Sequence, residues 1–263
     1  MISPWADAAA AAVAGAPAGL DLRSAEHLQL AEDTAEALLS SGPTASDLAL
    51  LEASLLERRA EVPLLVHLSV KLARSRRLLE DLDCARDEPV HVTVVFAMYG
   101  EQDRMLPPAD HPVGEDFLIR KIDQLEWLFA GLPSFSWDLL AVDDGCPNGS
   151  GGLAADILSR RAPNAPARVL YLRDGIEQRS PVLGGLRSTD DSRKGGAIQY
   201  GMWQSVESAG PDRVVAYTDA DLSTHLGQVG LLVDPIVRGG FDAAIGSRRE
   251  PLSVVIKGGA RDE

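Results

Sequence analysis

Residues 91–103 read HVTVVFAMYGEQD. The first seven are β-branched, aromatic or small and carry no fixed charge, which suits a strand buried on both faces. Polar and acidic residues follow at once in Tyr99-Gly100-Glu101-Gln102-Asp103. The same change of texture recurs downstream. WDLLAV (137–142) runs into Asp143-Asp144-Gly145, and RVLYL (168–172) runs into a polar stretch over 173–193. RVVAYT (213–218) is followed by Asp219-Ala220-Asp221-Leu222-Ser223, and FDAAI (241–245) by Gly246-Ser247-Arg248-Arg249. Helical spacing fills the intervals at 113–130, 153–161, 195–208 and 226–237; in the first, Phe117, Ile122, Leu125 and Phe129 share a face. Alternation of strand and helix predicts an α/β fold, a Rossmann-like, mainly parallel sheet flanked by helices. In such sheets ligands gather beyond the carboxyl ends of the strands, where all five polar clusters fall.

Upstream of this pattern lie three helical segments. Ser24 caps the first, Ser46 or Asp47 the second, and Pro63 opens the third. Residues 1–20, rich in Ala, Gly and Pro, read as a mobile tail. The expected organisation is therefore a tail over 1–20, a helical cap over 21–88 and a ligand-binding domain over 89–263. The 263 residues carry 25 Lys and Arg against 39 Asp and Glu, a net charge of −14. That balance repels nucleic acid, so none is expected as a partner, and it makes a local cation necessary wherever a phosphorylated ligand binds. Two distant cysteines, Cys84 and Cys146, give no zinc or redox spacing. No basic leader and no bilayer-length apolar run is present, so the expected location is the cytoplasm.

Asp219 and Asp221 flank one small residue. In extended backbone, side chains two apart point the same way, and two carboxylates together make a hard-oxygen site for Mg²⁺ or Mn²⁺. Alone, such a triplet is a common solvated turn; after an apolar strand and among sister clusters it reads as a cation site. Asp143 and Asp144 offer acceptors to a ribose hydroxyl or a base N–H, or form a plain Asp-Gly turn. Arg193 and Lys194, followed by Gly195 and Gly196 at a helix start, suit an anion, or are a surface basic pair. No Walker spacing occurs. The long 173–193 stretch reads as a mobile lid. His225 is the histidine nearest the D-x-D triplet; it reads as an exposed loop residue and is not nominated as a base.

Taken in order, VTVVFAMYGEQ (92–102), LLAVDDG (139–145), RKGGAIQYGM (193–202), VVAYTDADLST (214–224) and AAIGSR (243–248) resemble the inverting family-2 glycosyltransferases of the GT-A fold. The last three are most similar to the polyprenyl-phosphate sugar synthases. The resemblance covers about residues 90–250. It implies a UDP- or GDP-linked sugar donor, a Mg²⁺ or Mn²⁺ cofactor, and an acceptor of unknown identity, with polyprenyl phosphate a candidate. By residue, it implies that Glu101 and Asp143 meet the nucleoside, with Tyr99 and Asp144 beside them in the donor site. Arg193, Lys194 and Gly195 face the phosphates, Asp219 lies near ribose and metal, and Asp221 is the direct metal ligand. The family's P-x-Y-N-E reads AMYGEQ here, which keeps Tyr99 and Glu101 but loses the Pro and Asn. The acceptor-binding segments and the usual catalytic base fall beyond Glu263, so the resemblance implies a further segment or subunit that completes the acceptor site. It also leaves open peripheral attachment at the cytoplasmic face of a membrane. Two other readings stand beside it: a non-catalytic nucleotide-sugar-binding module, and a sugar-phosphate nucleotidyltransferase. The second lacks the Gly-rich basic loop it needs after the first strand.

Overall fold

In the computed structural model, strand β1 covers Val90–Met98 and is paired along both edges. The structure describes residues 16–17, 19–207, 212–247, 249–250 and 253; the side chain of Arg193, the residue Arg248 and most of the expected N-terminal tail lie outside them. Contacts divide the chain into two units, Asp83–Gly227 and Met1–Leu82 with Gln228–Glu263.

In the first of these, β1 pairs with β2 (Phe135–Asp143) from Val90↔Phe135 to Met98↔Asp143. On its other side β1 pairs with β4 (Arg213–Tyr217), from His91↔Arg213 to Val95↔Tyr217. β3 (Ala167–Tyr171) lies beyond β2, so the all-parallel sheet has the order β3-β2-β1-β4. This is the expected α/β class. Because β1 is central, its faces must both be apolar, and the pleat sends alternate residues to opposite layers. Helix α4 (Phe117–Phe129) covers one face, where the Phe96 and Phe117 rings meet edge to face at 5.9 Å. Helix α7 (Arg193–Glu207) covers the other: its Ala197 and Tyr200 join Val95, Ala97, Leu140 and Val142 in one buried cluster. Helix α5 (Ser150–Arg161) links β2 to β3. The chain thus steps outward from β1 to β3, then returns to the far side of β1 for β4. The crevice between β1 and β4 is where connections diverge, the usual ligand position in open parallel sheets. Main-chain bonds from Asp144 N to Met98 O (3.0 Å) and from Thr218 N to Val95 O (3.0 Å) carry the register past the strand ends.

The 173–193 stretch is less irregular than its composition suggests. It holds the short helix α6 (Leu172–Glu177) and two 3-10 turns, Pro181–Leu183 and Thr189–Asp191. Leu172 and Leu183 are buried in the α7 cluster. Single-turn elements anchored by isolated leucines are too short to leave a periodic signature.

The other unit contains α1 (Ala25–Ser40), α2 (Ala45–Glu57) and α3 (Leu64–Ala85), the last reaching into the sheet unit's span. Ser24 caps α1 by accepting from His27 N (3.3 Å). The cap of α2 is Thr44 rather than Ser46 or Asp47. Thr44 Oγ1 accepts from Asp47 N (3.1 Å) while the Asp47 carboxylate accepts from Thr44 N (2.9 Å), a reciprocal box that satisfies two helix-end donors at once. Glu52 is buried and reaches Lys71 and Arg74, the latter at 2.9 Å, so its charge is compensated within the helices. Residues 228–263, read above with the sheet domain, group here. Helix α8 (Gly230–Val237) starts later than expected, behind a 3-10 turn at Leu226–Gln228. The expected fifth strand at 241–245 does not form, and Phe241 (63%) and Ile245 (87%) are exposed. FDAAI has one β-branched residue and two alanines, and without a ladder partner such a segment has no reason to extend.

Gly201 on α7 faces Val95 and Val142 of the sheet with no room for a side chain. A Cβ there would lie 2.5 Å from Val95 Cγ1 and 2.9 Å from Val142 Cγ2. Alanine is the better helix former, so helix propensity alone favours Gly201→Ala. Overpacking is expected to win, lowering stability by about 1–3 kcal/mol in a thermal or urea melt.

Candidate functional site

Asp143 ends β2 with a buried carboxylate whose oxygens are engaged by backbone. Oδ1 accepts from Gly145 N (2.9 Å) and Cys146 N (3.0 Å), and Oδ2 accepts from Gly151 N (2.7 Å). The negative charge lies at the start of α5, where the helix dipole favours it. Asp143 therefore folds the 144–151 loop, a wall of the site. Gly145, at φ +78°, lets the chain turn and leaves room for Thr189, whose Cβ would lie 2.4 Å from a glycine-replacing Cβ. Asp144 is buried beside it, accepting from Ser192 Oγ at 3.4 Å. Burial pushes the Asp144 carboxyl up to about 6; the Ser192 hydrogen bond opposes this and the neighbouring Asp143 charge adds to it.

The loop after β1 is laced to the same wall. Gly100 N donates to Cys146 Sγ (3.2 Å) and Glu101 N to Ser150 Oγ (3.0 Å), which leaves the Tyr99 ring 60% exposed beside it. The Glu101 side chain is mostly buried. Desolvation raises its pKa, Arg104 opposes that, and Asp221 and Glu115 add to it. Arg104 was not singled out from the sequence, yet it reaches three carboxylates. Its guanidinium lies 3.0 Å from Glu101, 3.2 Å from Glu115 and 3.6 Å from Asp221.

Asp219 and Asp221 both stand in this cluster, past the end of β4, where the backbone bends rather than staying extended. They engage different cations. Asp219 accepts from Tyr217 Oη (3.0 Å) and forms a short ion pair with Lys194. Asp221 Oδ1 accepts from Ser223 N (3.1 Å) and Oδ2 faces Arg104. Burial works against the Lys194 charge, but hydrogen bonds to Asp219 and Tyr217 outweigh it and push the ammonium up to about 12. Gly195, one residue on, has open space where a side chain would stand, so a ligand can approach its backbone. Glu101, Lys194, Asp219 and Asp221 thus share one edge of the sheet with Asp143 and Asp144. The Arg193 side chain lies outside the described residues.

The segment carrying the two aspartates is held from below by α4 and the turn before it. Lys121 is fully buried over the Phe96 ring (5.6 Å to its centre) and donates to Asp221 O at 2.9 Å. Desolvation lowers its pKa to about 8, against the pull of Asp221, Glu115 and Asp219. Glu115 accepts from Leu222 N (3.4 Å) and Gln124 from Leu226 N (2.8 Å). Asp116, between Glu115 and α4, adopts a left-handed φ of 51° and is clamped by both arms of Arg161 at 2.6 and 2.7 Å. His225 is buried, not exposed, and its Nδ1 accepts from Gly227 N at 3.0 Å. A sequence signal for Lys121 existed: it lies four residues from both Phe117 and Leu125, on the apolar stripe of α4.

No three-residue His, Cys, Asp or Glu group able to hold a metal occurs among the described residues. The donor chemistry of Asp219 and Asp221 nevertheless fits Mg²⁺ or Mn²⁺ of the kind that takes one or two carboxylates and completes its shell with phosphate and water. Compared with known proteins, the chain matches no family model, no curated protein and no solved structure.

Asp144 holds its proton more tightly in the fold (about 6) than in the unfolded chain (3.8). Stability is therefore lost as pH rises between these values and stays lost above about 6. Asp144→Asn removes that titration. Its melting temperature is expected to exceed the parent's by a margin that is absent below pH 4 and grows to the equivalent of about 2 kcal/mol by pH 7. For Lys121→Met we expect little loss of overall stability, because a buried charge is removed along with its hydrogen bond. Hydrogen–deuterium exchange should nonetheless speed up at Leu222 and Ser223; unchanged exchange would show that the ammonium does not hold that loop.

Proposed function

We propose that this chain binds a nucleoside-diphosphate sugar with a divalent cation and serves inverting glycosyl transfer, in the manner of the family-2 glycosyltransferases it resembles. One observation carries the reading. Glu101, Lys194, Asp219 and Asp221 come from three different connections and converge at the carboxyl edge of β1 and β4. Tyr99 offers an exposed ring for a base, and Glu101 an acceptor for a ribose hydroxyl or base N–H. Lys194, kept charged across the physiological range, offsets negative charge on a leaving diphosphate. Asp219 and Asp221 would hold Mg²⁺ or Mn²⁺, which supplies further neutralisation of that diphosphate when bound. An acceptor oxygen attacks the anomeric carbon from the face opposite the departing diphosphate. A phosphate acceptor, such as a polyprenyl phosphate, is already ionised and needs no base. A hydroxyl acceptor does, and buried His225 is not placed to serve. We assign the protein to the cytoplasm: both cysteines are thiols, and no helix among the described residues is long and apolar enough to cross a membrane.

Calorimetric titration with UDP-, GDP- and dTDP-sugars, with and without Mn²⁺, tests the proposal. One donor class is expected to bind, and to do so roughly tenfold or more tightly with Mn²⁺, a gain of about 1.4 kcal/mol or more. Asp221→Ala is expected to abolish the Mn²⁺ dependence while keeping the parent circular-dichroism spectrum. Binding of no donor under either condition would overturn the reading; binding without transfer to any acceptor would favour a non-catalytic module.

A further inference from the structure

We propose that Arg104 is a second diphosphate-binding cation, held by Asp221 until the donor arrives, and that this exchange makes nucleotide and divalent cation bind cooperatively. The inference rests on the nucleotide-sugar reading above and adds a residue, Arg104, and a physical cause for the coupling between donor and metal.

Four carboxylates (Glu101, Glu115, Asp219 and Asp221) surround Arg104 and Lys194. Lys121 lies beneath them, its ammonium committed to Asp221 O. Each ligand alone meets the wrong charge. A divalent cation approaching Asp219 and Asp221 meets Lys194 and Arg104, already paired with them. A diphosphate approaching Lys194 and Arg104 meets the four carboxylates. Together the two ligands remove both conflicts: the phosphates take over the ammonium and guanidinium, and the aspartates turn to the metal. Arg104 suits this exchange better than a fixed structural arginine would. Its contact with Asp221 is its longest, at 3.6 Å, while Glu101 (3.0 Å) and Glu115 (3.2 Å) keep the guanidinium at the site when Asp221 lets go. The planar fork can pair with phosphate oxygens two at a time. The movement loosens the Asp221 bond to Ser223 N at most, while Lys121, Glu115 and Gln124 go on holding the 221–226 segment through main-chain atoms.

The test is a calorimetric titration of Mn²⁺ into the whole chain, alone and with saturating UDP or GDP, corrected for the metal–nucleotide complex in solution. For the parent, nucleotide is expected to tighten Mn²⁺ by roughly ten- to a hundredfold, and Mn²⁺ to tighten nucleotide by the same factor. Arg104→Gln is expected to bind Mn²⁺ alone more tightly than the parent, because Asp221 is released. The same variant should bind nucleotide at least tenfold more weakly and lose most of the coupling. Arg104→Lys, which keeps the charge but not the fork, should fall between; together with the parent's own coupling it decides the matter should the glutamine variant lose its folded spectrum. Parent-like nucleotide affinity and coupling in the Arg104 variants would overturn this inference and leave the donor reading standing, whereas a parent whose Mn²⁺ affinity ignores nucleotide would overturn it and remove the metal from the donor reading as well. A parent that binds neither UDP nor GDP, with or without Mn²⁺, would sink both.

Discussion

A lysine with no solvent exposure is the fixed point of the site. Placing an ammonium in a hydrophobic layer costs several kcal/mol, and Lys121 recovers part of it from a main-chain carbonyl, an aromatic face and nearby carboxylates. The carbonyl belongs to Asp221, so the residue that carries the charge cluster is tied to the helix that covers the sheet. Asp116 and Arg161 secure the start of that helix, and Glu115 beside them reaches both Leu222 N and Arg104. From the core outward, one path of hydrogen bonds and ion pairs thus links sheet packing to the groups at the edge.

The charge pattern above this anchor belongs to an acidic molecule that gathers cations locally. With a net charge of −14, the chain as a whole repels phosphates. Arg104 and Lys194 nevertheless stand at the one edge where strand connections diverge, each in contact with carboxylates that hold it there. The arrangement solves two problems together. The carboxylates fix the cations in place, and the cations offset the negative charge that the Asp and Glu groups concentrate there.

Much of this was legible in the sequence, and for identifiable reasons. β1 and β2 are buried on both faces, so they show continuous apolar runs that place them within two residues of their true ends. The edge positions of Glu101, Lys194, Asp219 and Asp221 follow from parallel topology once strands are located. What escaped depends on partners distant in sequence. Arg104 sits in a polar loop where an arginine is unremarkable, and only the fold brings Glu115 and Asp221 to it. Asp143 reads from the sequence as a ligand acceptor, and only the fold shows that Gly145, Cys146 and Gly151 also donate to its oxygens. His225 sits in a loop just after the D-x-D segment and so reads as exposed, but it is buried, and Gln124 accepts from the next backbone N–H, at Leu226. FDAAI shows the opposite failure: its apolar content signals burial, yet a strand is defined by pairing, which local composition does not encode.

The two kinds of bond at this edge differ in what they permit. Asp143, Lys121, Glu115 and Gln124 hold backbone atoms, and their loss would change where the chain runs. Arg104 and Lys194 hold side-chain carboxylates, and those pairs can be broken by rotating a few torsions without moving the backbone. A ligand that offers phosphate oxygens competes only with the second kind. The site can therefore exchange its internal ion pairs for external ones at the cost of side-chain rearrangement alone. Buried ion pairs are weak evidence of stabilisation, whereas pairs set on a rigid backbone and open to solvent on one side are suited to being replaced. On that physical ground the Arg104–Asp221 and Lys194–Asp219 pairs are the ones that a phosphate ligand and a cation would replace under the proposed reading.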